Sequence, residues 1–298
     1  MYLNTLYVKL TPRTEEDSYN LKINESTLGM LSLILDFKVA TSWHISRFLT
    51  GKDQSKYIYT KLRRIWKAGL LESFKVYSGS LAGIPVFYML SKKGLKLLEE
   101  EGRCDPESIR TYPHAKSLLS WGLFKHEAQV VELGSLEIKN KSEELLIKIT
   151  GEAKSLSRDL LSNKNIEVFT PDYTVWYETK NTKQCLYTEF ERTMKSKEAM
   201  LRKIERYIQY LPLEERDNKT LRFIFQTPSM EESFWLNLIS NGSAYLQKLR
   251  IITTNLPLLD HHTKFLDDIY LSSHTVKLIK QGLLKIDGSS RIKLFSFN

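Results

Sequence analysis

The chain has 298 residues, of which 42% are hydrophobic and 27% charged, as expected for a soluble globular protein of two modest domains or one large one. Glycine and proline are scarce, which excludes a collagenous or disordered chain. The longest charge-free stretch near the start, residues 26–35, is about half as long as a bilayer requires. We therefore expect no membrane span and no membrane partner.

Two further features predict a cytoplasmic protein. The N-terminus has no basic segment followed by an apolar run, so no secretory signal is expected. The two cysteines, Cys104 and Cys185, form no CxxC or Cys/His pattern, which argues against a zinc finger or a disulfide framework. Lysine and arginine outnumber the acids by 44 to 35, and the net charge of +9 favours a polyanionic partner, nucleic acid before membrane.

The first hundred residues are predicted to form four helices and a β-hairpin. After a polar arm at 1–20, apolar spacing predicts a helix from Glu25 with Ser26 as its N-cap. A second helix starts at Thr41 or Ser42 and ends at Gly51. A third spans 55–68, and extended runs at 70–76 and 84–90 predict a hairpin about a turn at 78–79. A fourth helix, 91–101, completes the element order of a winged helix-turn-helix domain, which we expect at 21–102.

The third helix is the candidate DNA-binding element, because it carries five cations and no acid. A helix of this kind enters the major groove of double-stranded DNA, where cations contact phosphates and polar side chains contact base edges. The expected DNA-binding residues are Ser55, Lys56, Tyr57, Thr60, Lys61, Arg63, Arg64 and Lys67. Of these, we expect Ser55, Tyr57, Thr60 and Lys61 to read bases, and Arg63, Arg64 and Lys67 to hold phosphates. The alternative is a small helical domain with a merely solvated basic face.

A proline-containing segment at 103–117 predicts a linker, and 118–298 a second domain. Its pattern gives a helix at 118–138, strands at 144–150, 166–178 and 185–191, a helix at 195–211 and a strand at 221–227. The elements follow the order αβββαβ, with a polar helical insert at 153–162. After this series come further short elements, which include a strand at 251–254. The predicted fold class is α+β, with a mixed sheet in the second domain.

Three acids in this domain form a candidate metal site. Asp172 follows Pro171, and Glu189 and Glu191 lie two residues apart on the next strand. Because every second side chain of a strand points to the same face, the two glutamates share a face and lie roughly 6.5–7 Å apart along it. Carboxylates from two adjacent strands are able to hold Mg²⁺, which activates water for attack on a phosphodiester. The alternative is a solvent-facing pair bound to lysines of the following helix.

The αβββαβ order with Pro-Asp before an acidic strand resembles the PD-(D/E)XK nuclease superfamily. The resemblance implies that Asp172 and Glu189 bind metal and that a lysine stands two residues after Glu189. Glu191 occupies that position instead. In some members the lysine lies on the following helix, where this chain has Lys195, Lys197 and Lys203; we expect Lys203 to lie against the three acids. Other members of the superfamily have lost activity and keep the fold for binding or assembly.

An ordered series of motifs resembles a narrower family, the replication-relaxation proteins of plasmids and integrative elements. The motifs are residues 62–71 and 88–94, the Lys-His-Glu of 125–127, Pro171-Asp172, Glu-Phe-Glu-Arg-Thr at 189–193 and Lys-Ile-Glu-Arg-Tyr at 203–207. The resemblance implies a cytoplasmic DNA-binding protein of a mobile element, which acts in plasmid replication or DNA mobilisation.

Two functions of different classes follow. One is a DNA-binding module that needs no cofactor, with other replication or mobilisation proteins as partners. The other is a Mg²⁺-dependent endonuclease in which Asp172, Glu189 and Glu191 bind the metal and act in catalysis with Lys203. A plain transcriptional regulator is a third interpretation. A homodimer built on the long helix at 118–138 would predict a palindromic DNA site.

Overall fold

The computed structural model describes residues 7–10, 21–76, 85–120, 123–140, 146–152, 170–178, 183–211, 219–241, 244–261 and 270–272. The chain forms two compact units. The first contains Met1–Lys139 and Gly151–Lys164, and the second contains Asn140–Thr150 and Asn165–Asn298. Within the described part of the chain, no helix is long and apolar enough to cross a membrane.

The first unit combines helices with a four-stranded antiparallel sheet of order β1-β3-β4-β2. Its elements are β1 (Tyr7–Leu10), α1 (Glu25–Phe37), β2 (Ala40–Thr41), α2 (Ser42–Thr50), α3 (Lys56–Lys67), β3 (Leu71–Val76), β4 (Val86–Leu90), α4 (Lys92–Glu100), α5 (Pro106–Thr111), α6 (Ala115–Ser120) and α7 (Leu123–Lys139). Helices α1 to α4 and the hairpin strands β3 and β4 fall within two residues of the bounds predicted for them. The predicted turn at 78–79 lies outside the described residues.

Local hydrogen bonds set the helix ends. Asn24, not Ser26, caps α1: its side-chain oxygen accepts from the backbone N–H of Thr27 at 3.1 Å. The predicted cap is corrected because the helix begins at Glu25, so that Ser26 already lies inside it. Thr41, one of the two residues at which the second helix is expected to start, caps α2, and Gly51 ends that helix with a φ of 69°, a left-handed conformation that glycine adopts without strain.

The first sheet also includes a strand from the predicted polar arm. β1 pairs antiparallel with β3, with Tyr7 opposite Val76 and Leu10 opposite Ser73. This pairing gives 7–10 a place at the edge of the sheet, beside the predicted hairpin. Residues 11–20 of the arm lie outside the described residues.

The first unit runs through α7, later in the chain than the linker that the sequence predicts at 103–117. That segment carries α5, which Asp105 caps, and the start of α6. Leu118 and Phe124 join the buried cluster that contains Phe74 and Phe87. The division falls after α7 because its apolar side packs into this core, and because Glu127 of α7 binds the ammonium group of Lys38.

The second unit contains a six-stranded mixed sheet of order β10-β9-β8-β7-β6-β5. Its elements are β5 (Leu146–Gly151), β6 (Tyr173–Glu178), β7 (Lys183–Glu191), α8 (Lys197–Tyr210), β8 (Lys219–Phe225), α9 (Pro228–Asn241), a 3₁₀ turn (Tyr245–Gln247), β9 (Arg250–Asn255), α10 (Leu256–His261) and β10 (Leu271–Ser272). β7, β8 and β9 run parallel, while β6 and β10 are antiparallel to their neighbours in this central group. The α+β class with a mixed sheet is confirmed. The predicted insert at 153–162 and most of the last thirty residues lie outside the described residues.

Helices α8 and α9 cover one face of this sheet. Tyr207 of α8 and Phe234 of α9 are buried with Phe223 and Phe225 of β8. Glu189 pairs in register with Phe223, and Glu191 with Phe225, so the two glutamates share the helix-covered face at the carboxyl end of β7. The fold therefore buries two carboxylates beneath α8.

Candidate functional site

The first candidate site is the solvent side of α3. Ile58, Leu62 and Ile65 are buried and fix the orientation of the helix. Its exposed side carries only cationic, phenolic and hydroxyl side chains, with no acid in the whole helix. These side chains are Lys56, Tyr57, Tyr59, Thr60, Arg63 and Arg64. The exposed fractions of Tyr57 and Tyr59, 59% and 54%, are unusual for large aromatic residues.

Three predicted DNA-binding residues have other surroundings. The Ser55 hydroxyl caps α3 and accepts from the backbone N–H of Ile58. Lys61 is only 8% exposed, and its ammonium group donates to the side chain of Asn24 at 2.9 Å. Lys67, in the last turn, is half-buried. The exposed side of α3 therefore offers Lys56, Tyr57, Thr60, Arg63 and Arg64 most directly.

The second candidate site is the acid cluster of the second unit. Glu189 and Glu191 are 3% and 2% exposed, and Asp172 stands just before β6. An Asp172 side-chain oxygen accepts from the backbone N–H of Phe190 at 2.6 Å. Because Phe190 is the residue between Glu189 and Glu191 in the chain, this bond places the Asp172 carboxylate beside the part of β7 that carries both glutamates. The structure brings the three predicted acids together.

Lys203 of α8 lies between the two glutamates. Its ammonium nitrogen is 2.6 Å from Glu189 Oε2 and 2.6 Å from Glu191 Oε1. One turn later on the same helix, the Tyr207 hydroxyl donates to Glu189 Oε1 at 2.6 Å. Lys195 contacts Glu191 from the segment before α8, at 3.1 Å. Both glutamates are thus bound by side chains of the chain itself.

The electrostatics of this cluster follow from its burial. Burial, aided by the charge of Asp172, raises the pKa of Glu189 to about 7 in spite of the opposing effect of Lys203. For Lys203, burial acts to lower the pKa, but the three carboxylates outweigh it and hold the pKa above its usual value. Burial and the neighbouring Glu189 also raise the pKa of the Tyr207 hydroxyl. Lys203 is therefore charged at neutral pH.

This arrangement does not fit a divalent cation. Mg²⁺ is bound by one or two carboxylates at about 2.0–2.1 Å in near-octahedral geometry, so their oxygens must face a position that no other cation occupies. Here the ammonium group of Lys203 occupies the position between Glu189 and Glu191. Among the described residues, no group of three or more His, Cys, Asp and Glu side chains is arranged to hold a metal ion. The cluster is charge-compensated by lysine.

Sequence reasoning missed Asn24 and Tyr207. Asn24 lies 37 residues before Lys61, and no local pattern connects the two. Tyr207 had a signal, because it stands four residues after Lys203 and therefore on the same side of the helix. Neither role could be assigned before the packing partners were known.

Comparison with known proteins assigns the chain to a family. The replication-relaxation family model matches residues 31–224, more than half of the chain. The chain belongs to the replication-relaxation family, and this membership implies a role in plasmid replication or mobilisation.

Two other comparisons add little. No curated protein matches the chain. Among solved structures, restriction endonuclease FokI is similar at 12% sequence identity and a TM-score of 0.24, over 89% of this chain and 46% of that one. The chain thus spans less than half the length of the FokI chain, and a TM-score this low carries no argument.

Proposed function

We propose that the chain is a DNA-binding protein of a mobile element, and that its first unit is a winged helix that binds double-stranded DNA through α3. The observation that carries the proposal is the exposed side of α3, with Lys56, Arg63 and Arg64 beside Tyr57 and Thr60 and no acid. The hairpin of β3 and β4 follows α3 directly, as a wing does. The family's role in plasmid replication or mobilisation agrees with a DNA partner.

The physical roles differ along the helix. Arg63 and Arg64 are exposed and able to contact phosphates, which would contribute affinity for any sequence. Tyr57 and Thr60 expose a phenol and a hydroxyl, groups that can hydrogen-bond to base edges in the major groove. Replacing the first pair should weaken binding uniformly, whereas replacing the second pair should change sequence preference.

Salt-dependent DNA binding tests this proposal. In the variant Arg63→Ala with Arg64→Ala, we expect weaker binding and a slope of log K against log salt reduced by about 0.9 for each lost phosphate contact. The matched control is Lys96→Ala with Lys125→Ala, which removes the same charge from exposed positions on α4 and α7. Equal affinity and equal slope in the wild type and the arginine variant would refute the assignment of α3.

For the second unit we propose a nuclease-like domain that serves DNA contact or assembly and does not cleave DNA. The support is the ion cluster beneath α8, in which Lys203 compensates Glu189 and Glu191 at 2.6 Å each. An ammonium group held in this way supplies the positive charge that buried carboxylates need. The cluster thereby has a structural purpose that is independent of a metal.

The second candidate function is the Mg²⁺-dependent endonuclease. One observation favours it: Lys203 reaches the acids from the following helix, as in nucleases whose lysine has moved there. Incubating the full chain with supercoiled plasmid and Mg²⁺ or Mn²⁺ decides between the two. Our proposal predicts no nicked or linear product. Cleavage by the wild type that is lost in Asp172→Ala would establish the endonuclease instead.

A further inference from the structure

A cavity of about 580 Å³ lies between α3 and the segment that precedes α1. Among the described residues, four cationic side chains and no acidic side chain line it. The four are Lys22, Lys56, Lys61 and Arg64. Asn24, Tyr57 and Thr60 add an amide and two hydroxyl groups. The lining is therefore suited to an anion that accepts several hydrogen bonds.

The nearest acid in the sequence is directed to another partner. Glu25 follows Asn24 at the start of α1, and both of its side-chain oxygens accept from Arg103, at 2.6 Å each. This bidentate pair is exposed and engages a residue that does not line the cavity. Glu25 therefore does not offset the four positive charges of the lining.

Lys61 is held in place by neutral groups. Its ammonium group donates to Asn24 Oδ1 at 2.9 Å and to the Tyr57 hydroxyl at 3.3 Å, while the residue is only 8% exposed. Burying an ammonium group costs free energy unless an opposite charge is close. An anion in the cavity would supply that charge. Asn24 also accepts from Thr27, so the N-terminus of α1 fixes the geometry around Lys61.

We infer that this cavity holds a backbone phosphate of the bound DNA, so that Lys22 and Asn24, which precede α1, belong to the DNA interface. The inference rests on the proposed DNA-binding function and extends it beyond α3. Lys22, Lys56 and Arg64 contact the phosphate, and Lys61 is the charge at the base of the cavity. The cavity volume of about 580 Å³ is many times the volume of about 30 Å³ that one water occupies in the liquid. The cavity therefore has room for a phosphodiester together with an adjoining sugar.

Two variants of the full chain test the inference by fluorescence anisotropy with a labelled 30-base-pair duplex at several salt concentrations. Lys22→Ala removes one cation, and Asn24→Asp keeps a good N-cap for α1 while placing a negative charge at the cavity. We expect Lys22→Ala to lower the salt slope by about 0.9, a loss on the order of tenfold at 0.1 M salt. Asn24→Asp should bind more weakly at an unchanged melting temperature. The exposed control Lys96→Ala should match the wild type.

The outcomes separate this inference from the proposed function. If Arg63→Ala, which lies outside the cavity, lowers the slope while Lys22→Ala and Asn24→Asp do not, the cavity inference is overturned and DNA binding by α3 stands. If the wild type binds no duplex, the proposed function fails first. A calorimetric titration with AMP provides a further arm. AMP binding that is lost in Lys22→Ala, with an unchanged DNA salt slope, would assign the cavity to a free nucleotide and overturn the inference.

Discussion

The ammonium nitrogen of Lys203 on α8 lies 2.6 Å from a carboxylate oxygen of Glu189 on β7, and both side chains are largely buried. The same nitrogen contacts Glu191, so one lysine joins two acids that lie two residues apart on the same face of β7. Glu189 is held a second time by the hydroxyl group of Tyr207. These contacts tie α8 to the carboxyl end of β7, and they make the charge of Lys203 important for the stability of the second unit.

Replacing Lys203 should therefore destabilise the protein strongly. Lys203→Met keeps a side chain of similar length but leaves Glu189 and Glu191 buried without their shared cation. Removing one partner of a buried ion pair costs about 3–5 kcal/mol. Urea unfolding at pH 7, followed by circular dichroism, measures the loss. The control Arg202→Met removes an exposed cation from the adjacent position of α8 and should change stability little; equal effects of the two variants would show that the cluster is not stabilising.

The pKa of Glu189 predicts a pH dependence of stability. Because burial raises the pKa from 4.5 to about 7, the folded protein keeps this proton at pH values where the unfolded chain has lost it. The contribution of this proton to the free energy of unfolding is fully present below about pH 4.5 and is lost as the pH rises through about 7. Between these values the wild type should lose on the order of 1–3 kcal/mol relative to Glu189→Gln, which cannot titrate there. Parallel stability curves for both proteins from pH 4.5 to 8 would contradict the raised pKa.

A second ion network should stabilise the first unit. Glu132 of α7 accepts from His44 at 2.8 Å and from Arg47 at 2.7 Å, both on α2. Burial acts to raise the pKa of Glu132, but these bonds outweigh it and hold the pKa below its usual value. Glu132→Ala leaves His44 without its acid and Arg47 with Asp53 as its remaining acid, and we expect a loss of about 1–3 kcal/mol in the free energy of unfolding in urea.

The exposed pair of Glu25 and Arg103 provides a matched control for this network. Glu25→Ala also removes a salt-bridged glutamate, but from a site open to solvent. Exposed pairs contribute about 0–1 kcal/mol because water screens them. A loss in Glu132→Ala no larger than that in Glu25→Ala would mean that α7 is not held to α2 by these charges.

The sequence predicts the parts of this fold that depend on local pattern. Apolar spacing places α3 correctly because Ile58, Leu62 and Ile65 recur at helical intervals on the buried side. Strand alternation likewise places Glu189 and Glu191 on one face. The expectation that Lys203 lies against these acids is met in the structure, since the helix after β7 crosses back over that face.

The remaining features depend on contacts between distant segments. The amphipathic pattern of α7 predicts a buried side but not the core that receives it, so the sequence alone does not assign α7 to the first unit. The bond between Asn24 and Lys61 requires that the end of α1 meet α3, which no local pattern specifies. Even the cap of α1 could be either of two suitable residues, Asn24 and Ser26, and in the structure it is Asn24, whose side chain accepts from the backbone N–H of Thr27.

The central claim is that α3 of the first unit contacts DNA, and photochemical cross-linking of the full chain to a bromodeoxyuridine-substituted duplex tests it most directly. Tyr57 and Tyr59 are exposed on α3, and trypsin cleavage after Lys56 and Lys61 releases both in one peptide, residues 57–61. We expect mass spectrometry to find cross-linked nucleotide on this peptide. Cross-links confined to peptides of the second unit, with none on residues 57–61, would contradict the account.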